Sequence, residues 1–132
     1  MRALAVVALL MAVFSGCDCG PSTKSAAAEL QLTPGALDFG PACVRLADPS
    51  LDVQPVVRKV NVRNVGHSLL GLATVQVDSP VFTFPSDWPR ELGASESFEL
   101  PVSFLPAAAG DVSARLTFTD DRALTQVATL TG

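Results

Sequence analysis

The chain has 132 residues, 48% of them hydrophobic and 17% charged, with 9 Lys and Arg against 13 Asp and Glu. A chain of this length builds one core of ordinary domain size, which excludes a multidomain enzyme, and its apolar fraction excludes a disordered polymer. The net charge of −4, with basic residues scattered rather than massed, excludes the electrostatic footprint of a nucleic-acid-binding protein.

At the N-terminus Met1 and Arg2 precede an unbroken apolar run from Ala3 to Phe14, followed by Ser15 and Gly16. This is the layout of a secretory signal peptide. As a helix the run would extend about 18 Å, well short of the roughly 30 Å hydrocarbon core of a bilayer. Residues 1–16 are therefore read as a signal peptide rather than a transmembrane span. Phe14-Ser15-Gly16-Cys17 resembles the bacterial lipobox. That resemblance implies a diacylglycerol on the Cys17 thiol, cleavage just before Cys17 and acylation of the new amino group; Phe14 stands where the family usually has Leu. Buried acyl chains contribute about 0.8 kcal/mol per CH2, so two or three of them form a stable anchor. Removal of residues 1–16 takes Arg2 with it and leaves 8 basic and 13 acidic side chains, a mature charge of −5. The expected location is the bacterial cell envelope, with the membrane reached through the lipid. Asp18 resembles an inner-membrane retention signal of some enterobacteria, but sorting rules differ among bacteria, and the membrane and leaflet stay open.

Residues 17–28 comprise the lipid-bearing Cys and the stretch Asp18–Ala28, which is small and polar, has no apolar period and reads as a flexible tether. Residues 29–132 form the domain. Here apolar residues recur at every second position: Val60 and Val62; Phe82 and Phe84; Phe98, Leu100, Val102 and Phe104; and Val112, Ala114, Leu116 and Phe118. This period predicts strands with one buried and one wet face. The run Leu69–Val77 is more continuously apolar around Gly71, which predicts a bulge or a change of face. Pro101 inside a strand implies an edge, or a nitrogen pointing away from the ladder. Turn signals at Thr33-Pro34-Gly35, Asn64-Val65-Gly66, Asp78-Ser79-Pro80, Leu92-Gly93-Ala94, Ala109-Gly110-Asp111 and Thr119-Asp120-Asp121 separate the runs. Short strands at this spacing predict an all-β sandwich or barrel.

Leu32-Thr33-Pro34-Gly35-Ala36-Leu37-Asp38-Phe39-Gly40, Val60-Asn61-Val62-Arg63-Asn64-Val65-Gly66, Leu92-Gly93-Ala94-Ser95, Val102-Ser103-Phe104-Leu105-Pro106, Gly110, Leu116-Thr117-Phe118-Thr119-Asp120-Asp121 and Leu130-Thr131-Gly132 follow one another in this order. In that order and spacing the chain resembles Hydin-like (ASH) immunoglobulin-like domains, whose bacterial relatives are described as choice-of-anchor D domains. The resemblance spans residues 29–132. It implies an immunoglobulin-like antiparallel β-sandwich with no catalytic residues, serving adhesion, scaffolding or protein binding. The chain departs from the family at Cys43-Val44-Arg45-Leu46-Ala47-Asp48-Pro49 and in a longer insertion before Val56, which leaves strand pairing over 43–55 undefined.

The sequence carries few residues in patterns that mark chemistry. The single histidine, His67, follows a turn motif and has no second imidazole at metal-ligand spacing. No nucleophile-elbow pattern supports a Ser-His-Asp triad, and no glycine opens a helix that would cradle phosphate. Asp120-Asp121 and Glu96/Glu99 read as turn and solvent-face residues. No catalytic residue, metal or cofactor is expected. With Cys17 consumed by lipid, Cys19 and Cys43 remain as an even pair in an oxidising compartment and are candidates for a disulfide, against two free thiols with Cys43 buried as a small hydrophobe. Trp88 is read as a core or rim aromatic, or else as an exposed anchor for a partner. The uncharged stretch Leu124–Leu130 is expected at a sheet edge, where Thr125, Val127 and Thr129 would receive an added strand from a partner. The reading is a non-catalytic binding or structural module with an envelope protein as partner. The alternatives are a small periplasmic enzyme or enzyme inhibitor, or a pilus-type periplasmic chaperone, for which Arg58-Lys59 would supply the basic pair.

Overall fold

The structure, a computed structural model, describes residues 27–44 and 52–132. The expected signal peptide, Cys17, Cys19 and most of the tether lie outside these residues. Nine strands follow in chain order: β1 (Leu30–Thr33), β2 (Ala36–Asp38), β3 (Val56–Asn64), β4 (Leu70–Val77), β5 (Phe82–Thr83), β6 (Glu91–Leu92), β7 (Ser97–Phe104), β8 (Ser113–Asp120) and β9 (Thr125–Thr131). They form a four-stranded sheet of order β1-β3-β7-β5 and a five-stranded sheet of order β2-β9-β8-β4-β6, with no helix among the described residues. Every pairing is antiparallel except that of β2 with β9. This is the expected all-β sandwich.

The first strand serves both sheets. β1 pairs with β3, with Leu30 opposite Asn64 and Thr33 opposite Asn61. The chain then turns through Pro34 and Gly35 and joins the other sheet as β2, where Ala36, Leu37 and Asp38 lie parallel to Thr129, Leu130 and Thr131. The predicted Thr33-Pro34-Gly35 turn is thus a change of sheet.

The alternating apolar residues line the space between the sheets. Val60 and Val62 of β3, Leu100, Val102 and Phe104 of β7, Ala114, Leu116 and Phe118 of β8, and Ala128 and Leu130 of β9 are all buried. In β4 the phase changes partway. Leu70 and Leu72 face the core, the register with β8 slips between Leu72 and Thr74, and Val75 and Val77 then take the half-buried positions. One extra residue, Ala73, converts an even-numbered inner face into an odd-numbered one, which is why the run has no strict alternation in sequence.

One end of the core is aromatic. Phe82 and Phe104, paired across β5 and β7, stack at 4.7 Å between ring centroids. Phe39 tilts against them at 5.3 and 5.6 Å. Phe39 is delivered by the Asp-Phe-Gly motif, and each of its residues has a backbone reason. The Asp38 carboxylate accepts the Gly40 N–H at 2.8 Å, the Phe39 N–H donates to Thr131 O at 2.8 Å, and Gly40 takes a φ of +66°, a region open to glycine at no steric cost.

Pro101 sits in β7, between β3 and β5. Leu105 N–H donates to Val81 O on the β5 side at 2.9 Å, so by the period of two the Pro101 nitrogen faces that side as well. β5 reaches only to Thr83, opposite Ser103, and leaves Pro101 without a neighbouring strand. The missing N–H therefore costs no ladder bond.

Phe104→Ala is expected to destabilise the domain by about 3–5 kcal/mol, because it empties the centre of the aromatic cluster. Ser103→Ala, on the opposite face of the same strand, is expected to change stability by no more than about 0.5 kcal/mol. Denaturant melts of the two variants distinguish these outcomes, and equal losses would contradict the face assignment.

Candidate functional site

Two polar residues are buried among the described residues, Asn64 and Asp120. Each ends a strand in the core phase, Asn64 after Val60 and Val62, Asp120 after Ala114, Leu116 and Phe118. Both therefore point inward, and each must be fully hydrogen-bonded to offset its desolvation.

Asn64 achieves this with backbone groups from three segments. Its Nδ2 donates to Ser68 O at 2.7 Å, Leu92 O at 3.0 Å and Gly93 O at 3.1 Å. Its Oδ1 accepts from Glu29 N–H at 3.2 Å and Gly66 N–H at 3.0 Å. Gly66 is needed because residues 27–29 cross directly over it. A Cβ there would come within 2.6 Å of Glu29 N and 2.7 Å of Ala28 Cα. The Val65 N–H donates to Glu29 O at 2.8 Å and the His67 N–H to Ala27 O at 3.3 Å. His67 itself is exposed in the turn, as expected.

Asp120 organises the turn between β8 and β9. Its Oδ1 accepts the N–H groups of Arg122 at 2.9 Å and Leu124 at 2.8 Å, while its Oδ2 pairs with the Arg122 guanidinium at 2.8 Å. The same guanidinium donates to Ala28 O at 2.6 Å. Burial pushes the Asp120 carboxyl up, but the Arg122 side-chain hydrogen bond, the N–H groups of Leu124 and Arg122 and the Arg122 charge outweigh it and hold its pKa below the ordinary 3.8. The solvent-face reading of Asp120 is thus corrected. It ends β8 just before the turn and points inward, because position 120 continues the buried phase of the strand. Ala28 and Glu29, the entrance of the chain into the domain, are held from both sides by these turns.

The second feature is the edge of β9. Thr129 N–H donates to Gly35 O at 3.0 Å and Thr131 O accepts from Phe39 N–H, so odd-numbered residues of β9 direct their backbone groups toward β2. β2 pairs only with residues 129–131. The expected edge over the whole of Leu124–Leu130 is therefore corrected to its first half. At Thr129 the edge is occupied; at Thr125 and Val127 the outward N–H and C=O groups meet no strand of the described residues. Beside them Leu124 is 59% and Val127 44% exposed. Where β1 leaves for the opposite sheet, a groove of about 270 Å³ opens between Leu30 and the edge residues Leu124 and Gln126.

The other candidates stand apart from this edge. Trp88 is only 9% exposed, with the Arg90 guanidinium 3.7 Å over its ring. It is a packed residue capped by a cation rather than an aromatic on display. Cys43 is exposed, not buried as a small hydrophobe, and its expected partner Cys19 lies outside the described residues. Ala42 and Val44, on either side of it, line a cavity of about 660 Å³ together with Asp38, Pro106, Asp111 and Val112. Arg58 and Lys59 do not converge on a common ligand: Arg58 Nε donates to Asp38 O at 3.2 Å, whereas Lys59 Nζ pairs with Glu99 at 2.9 Å. No group of three or more His, Cys, Asp or Glu that could hold a metal occurs among the described residues.

Asn64→Ala is expected to cost about 3 kcal/mol, since it strands the buried Leu92 O and Gly66 N–H at about 1–3 kcal/mol each and leaves three part-buried backbone groups without their partner. Asp120→Asn should destabilise at neutral pH and lose that effect in acid. A carboxyl whose folded pKa is depressed contributes stability that is present above its unfolded pKa of about 3.9 and disappears as pH falls through the folded value. The wild type's margin over Asp120→Asn should thus be constant from pH 7 to 5 and shrink below about pH 4. Urea melts at pH 7, 5 and 3 measure it, and a margin independent of pH would contradict the assignment.

No protein-family model and no curated protein matches the chain. Solved structures do. A Porphyromonas gingivalis W83 protein of unknown function superposes with a TM-score of 0.63 at 20% identity, covering 86% of this chain and 50% of that one. The chain thus spans about half the length of that protein. The ASH/PapD-like domain 7 of human CEP192 superposes with a TM-score of 0.57 at 14% identity over 99% of this chain and 96% of that one. The Vibrio cholerae VesB protease gives 0.54 at 14% identity over 83% of this chain but 32% of the protease. At such identities the likeness is one of fold: the domain shares the immunoglobulin-like β-sandwich of that ASH/PapD-like domain.

Proposed function

We propose that this chain is a bacterial envelope lipoprotein, anchored through Cys17, whose sandwich is a non-catalytic module that docks a protein partner along the free half of β9. The observation that carries the docking site is the pair of outward-facing residues Thr125 and Val127. Among the described residues their outward backbone groups meet no strand, and they lie on an uncharged strand with the exposed apolar side chains of Leu124 and Val127 at that edge. The anchor rests on the lipobox-like Phe14-Ser15-Gly16-Cys17 and the apolar run before it. The two halves fit together mechanically. The tether enters at Ala28 and Glu29, which two turns clasp, so a pull from the membrane meets hydrogen bonds before it reaches β1.

Mass spectrometry of the mature protein should find an acylated N-terminal Cys17, and Cys17→Ala should release the protein from membranes or block its maturation. An unmodified N-terminus at another residue would overturn the anchor. For docking, crosslinking pull-downs from the native envelope should lose the partner with Thr125→Lys and keep it with Thr129→Lys, whose backbone is already paired with Gly35. Capture undiminished by Thr125→Lys would overturn docking at this edge.

A further inference from the structure

The other sheet also has an incomplete edge, and a groove runs beside it. On β7 the Leu105 N–H faces β5, so by the period of two the backbone groups of Glu99 and Ser97 face that side as well. β5 ends at Thr83, opposite Ser103, and among the described residues no strand continues beside Glu99. The chain leaves instead through residues 85–89 toward β6 in the opposite sheet. Between this link and β7 lies a groove of about 310 Å³, with Pro85, Trp88 and Pro89 on the side of the link and Phe98 and Pro101 on the side of β7. We infer that this groove receives a lysine or arginine side chain of a protein partner whose extended backbone pairs with Glu99.

The residues around the groove set the chemistry of its occupant. Two acidic residues, Asp87 and Glu99, line it, both exposed, and no Lys, Arg or His does. Arg90 sits over Trp88 but lines a neighbouring cavity with Glu91 and Asp121. Asp87 has no ion pair among the described residues, whereas the Glu99 carboxylate already holds Lys59 Nζ at 2.9 Å, which shows that a cation is stable there. The rest of the lining is apolar. A basic side chain suits this mixture, because its methylene stem covers apolar surface while its charged head stays at the solvent boundary. Ligand pockets span roughly 300–1,000 Å³, so a groove at the bottom of that range takes one side chain rather than a whole cofactor. The net charge of −4 draws in a basic segment and repels an acidic one.

Glu99 supplies the backbone half of the site. Its outward N–H and C=O exchange two hydrogen bonds with one residue of an antiparallel strand. Two positions on, Pro101 has a carbonyl to offer but no N–H, so a strand that pairs by backbone alone gains little beyond Glu99. The edge is thereby closed to indiscriminate pairing and open to a segment that also fills the groove. This site goes beyond the β9 edge and is independent of it, since β7 and β9 belong to different sheets.

The test measures fluorescence anisotropy of labelled peptides on the full chain in a detergent with an uncharged headgroup. The probes are short peptides of alternating Ser and Val, alike except for Arg, Leu or Glu at the centre. The Arg peptide should bind at least about ten times more tightly than either of the others. Asp87→Lys should invert the order in favour of the Glu peptide, while the melting curve stays native-like because Asp87 is exposed. Saturation with the Arg peptide should slow hydrogen exchange of the Glu99 N–H and leave that of Leu100, which faces the β3 ladder, unchanged. Equal affinities, tightest binding of the Leu peptide, or an order that survives Asp87→Lys would overturn the groove, and unchanged exchange at Glu99 would overturn the strand pairing. Thr125→Lys should leave the Arg peptide's affinity as it is. Binding lost with Thr125→Lys but kept with Asp87→Lys would place the peptide on β9, overturning this site and leaving that edge standing.

Discussion

A buried amide that must satisfy all of its hydrogen-bonding groups places severe demands on its surroundings, and Asn64 imposes those demands on three parts of the domain. It joins the entrance of the chain at Glu29, the turn leaving β3 at Gly66 and Ser68, and the turn after β6 at Leu92 and Gly93. None of these segments is otherwise held by a long strand pairing. In a low-dielectric interior each unmade bond would cost far more than a made one contributes, so the geometry is all-or-none. Gly66 follows from it, because the entering chain can approach Asn64 only where no side chain intervenes.

Asp120 plays the corresponding part at the neighbouring turn, with charge added. Its carboxylate closes the turn from β8 into β9, and through Arg122 it reaches Ala28. The pair is half wet, since the Arg122 side chain is 39% exposed while that of Asp120 is 1% exposed. The ionic attraction is therefore screened on one side, and the more secure contribution is the set of hydrogen bonds that orient the turn. Between them, Asn64 and Asp120 fix where the chain enters the sandwich and where β9 begins.

That placement explains the free edge. Because β1 is drawn toward β3 beside Asn64, it cannot also cover β9, and the chain reaches the second sheet only after Pro34 and Gly35. Among the described residues, the second half of β9 gains a parallel neighbour and the first half does not. The ASH/PapD-like domain of human CEP192 shares the overall sandwich at 14% identity, so the framework tolerates almost complete replacement of its sequence. Such tolerance is expected where the fold is set by alternation of apolar residues and a few backbone-bound polar groups.

The sequence by itself determined the strands and their inner faces, since a period of two in apolar residues is a local property that any pleated backbone must obey. Phe98–Phe104, Ala114–Phe118 and Val60–Val62 were legible for that reason, and so was the change of phase in β4. Asn64 and Asp120 were not legible as buried residues, because each stands at the end of a strand next to residues of turn chemistry, and the local pattern there reads as a solvent-facing bend. Only the tertiary structure decided which backbone groups those side chains would meet, that Arg90 covers Trp88, and how much of β9 stays open. Each of these depends on contacts between residues far apart in the chain, such as Arg122 with Ala28 or Gly35 with Thr129, and no local pattern encodes where one segment stops covering another.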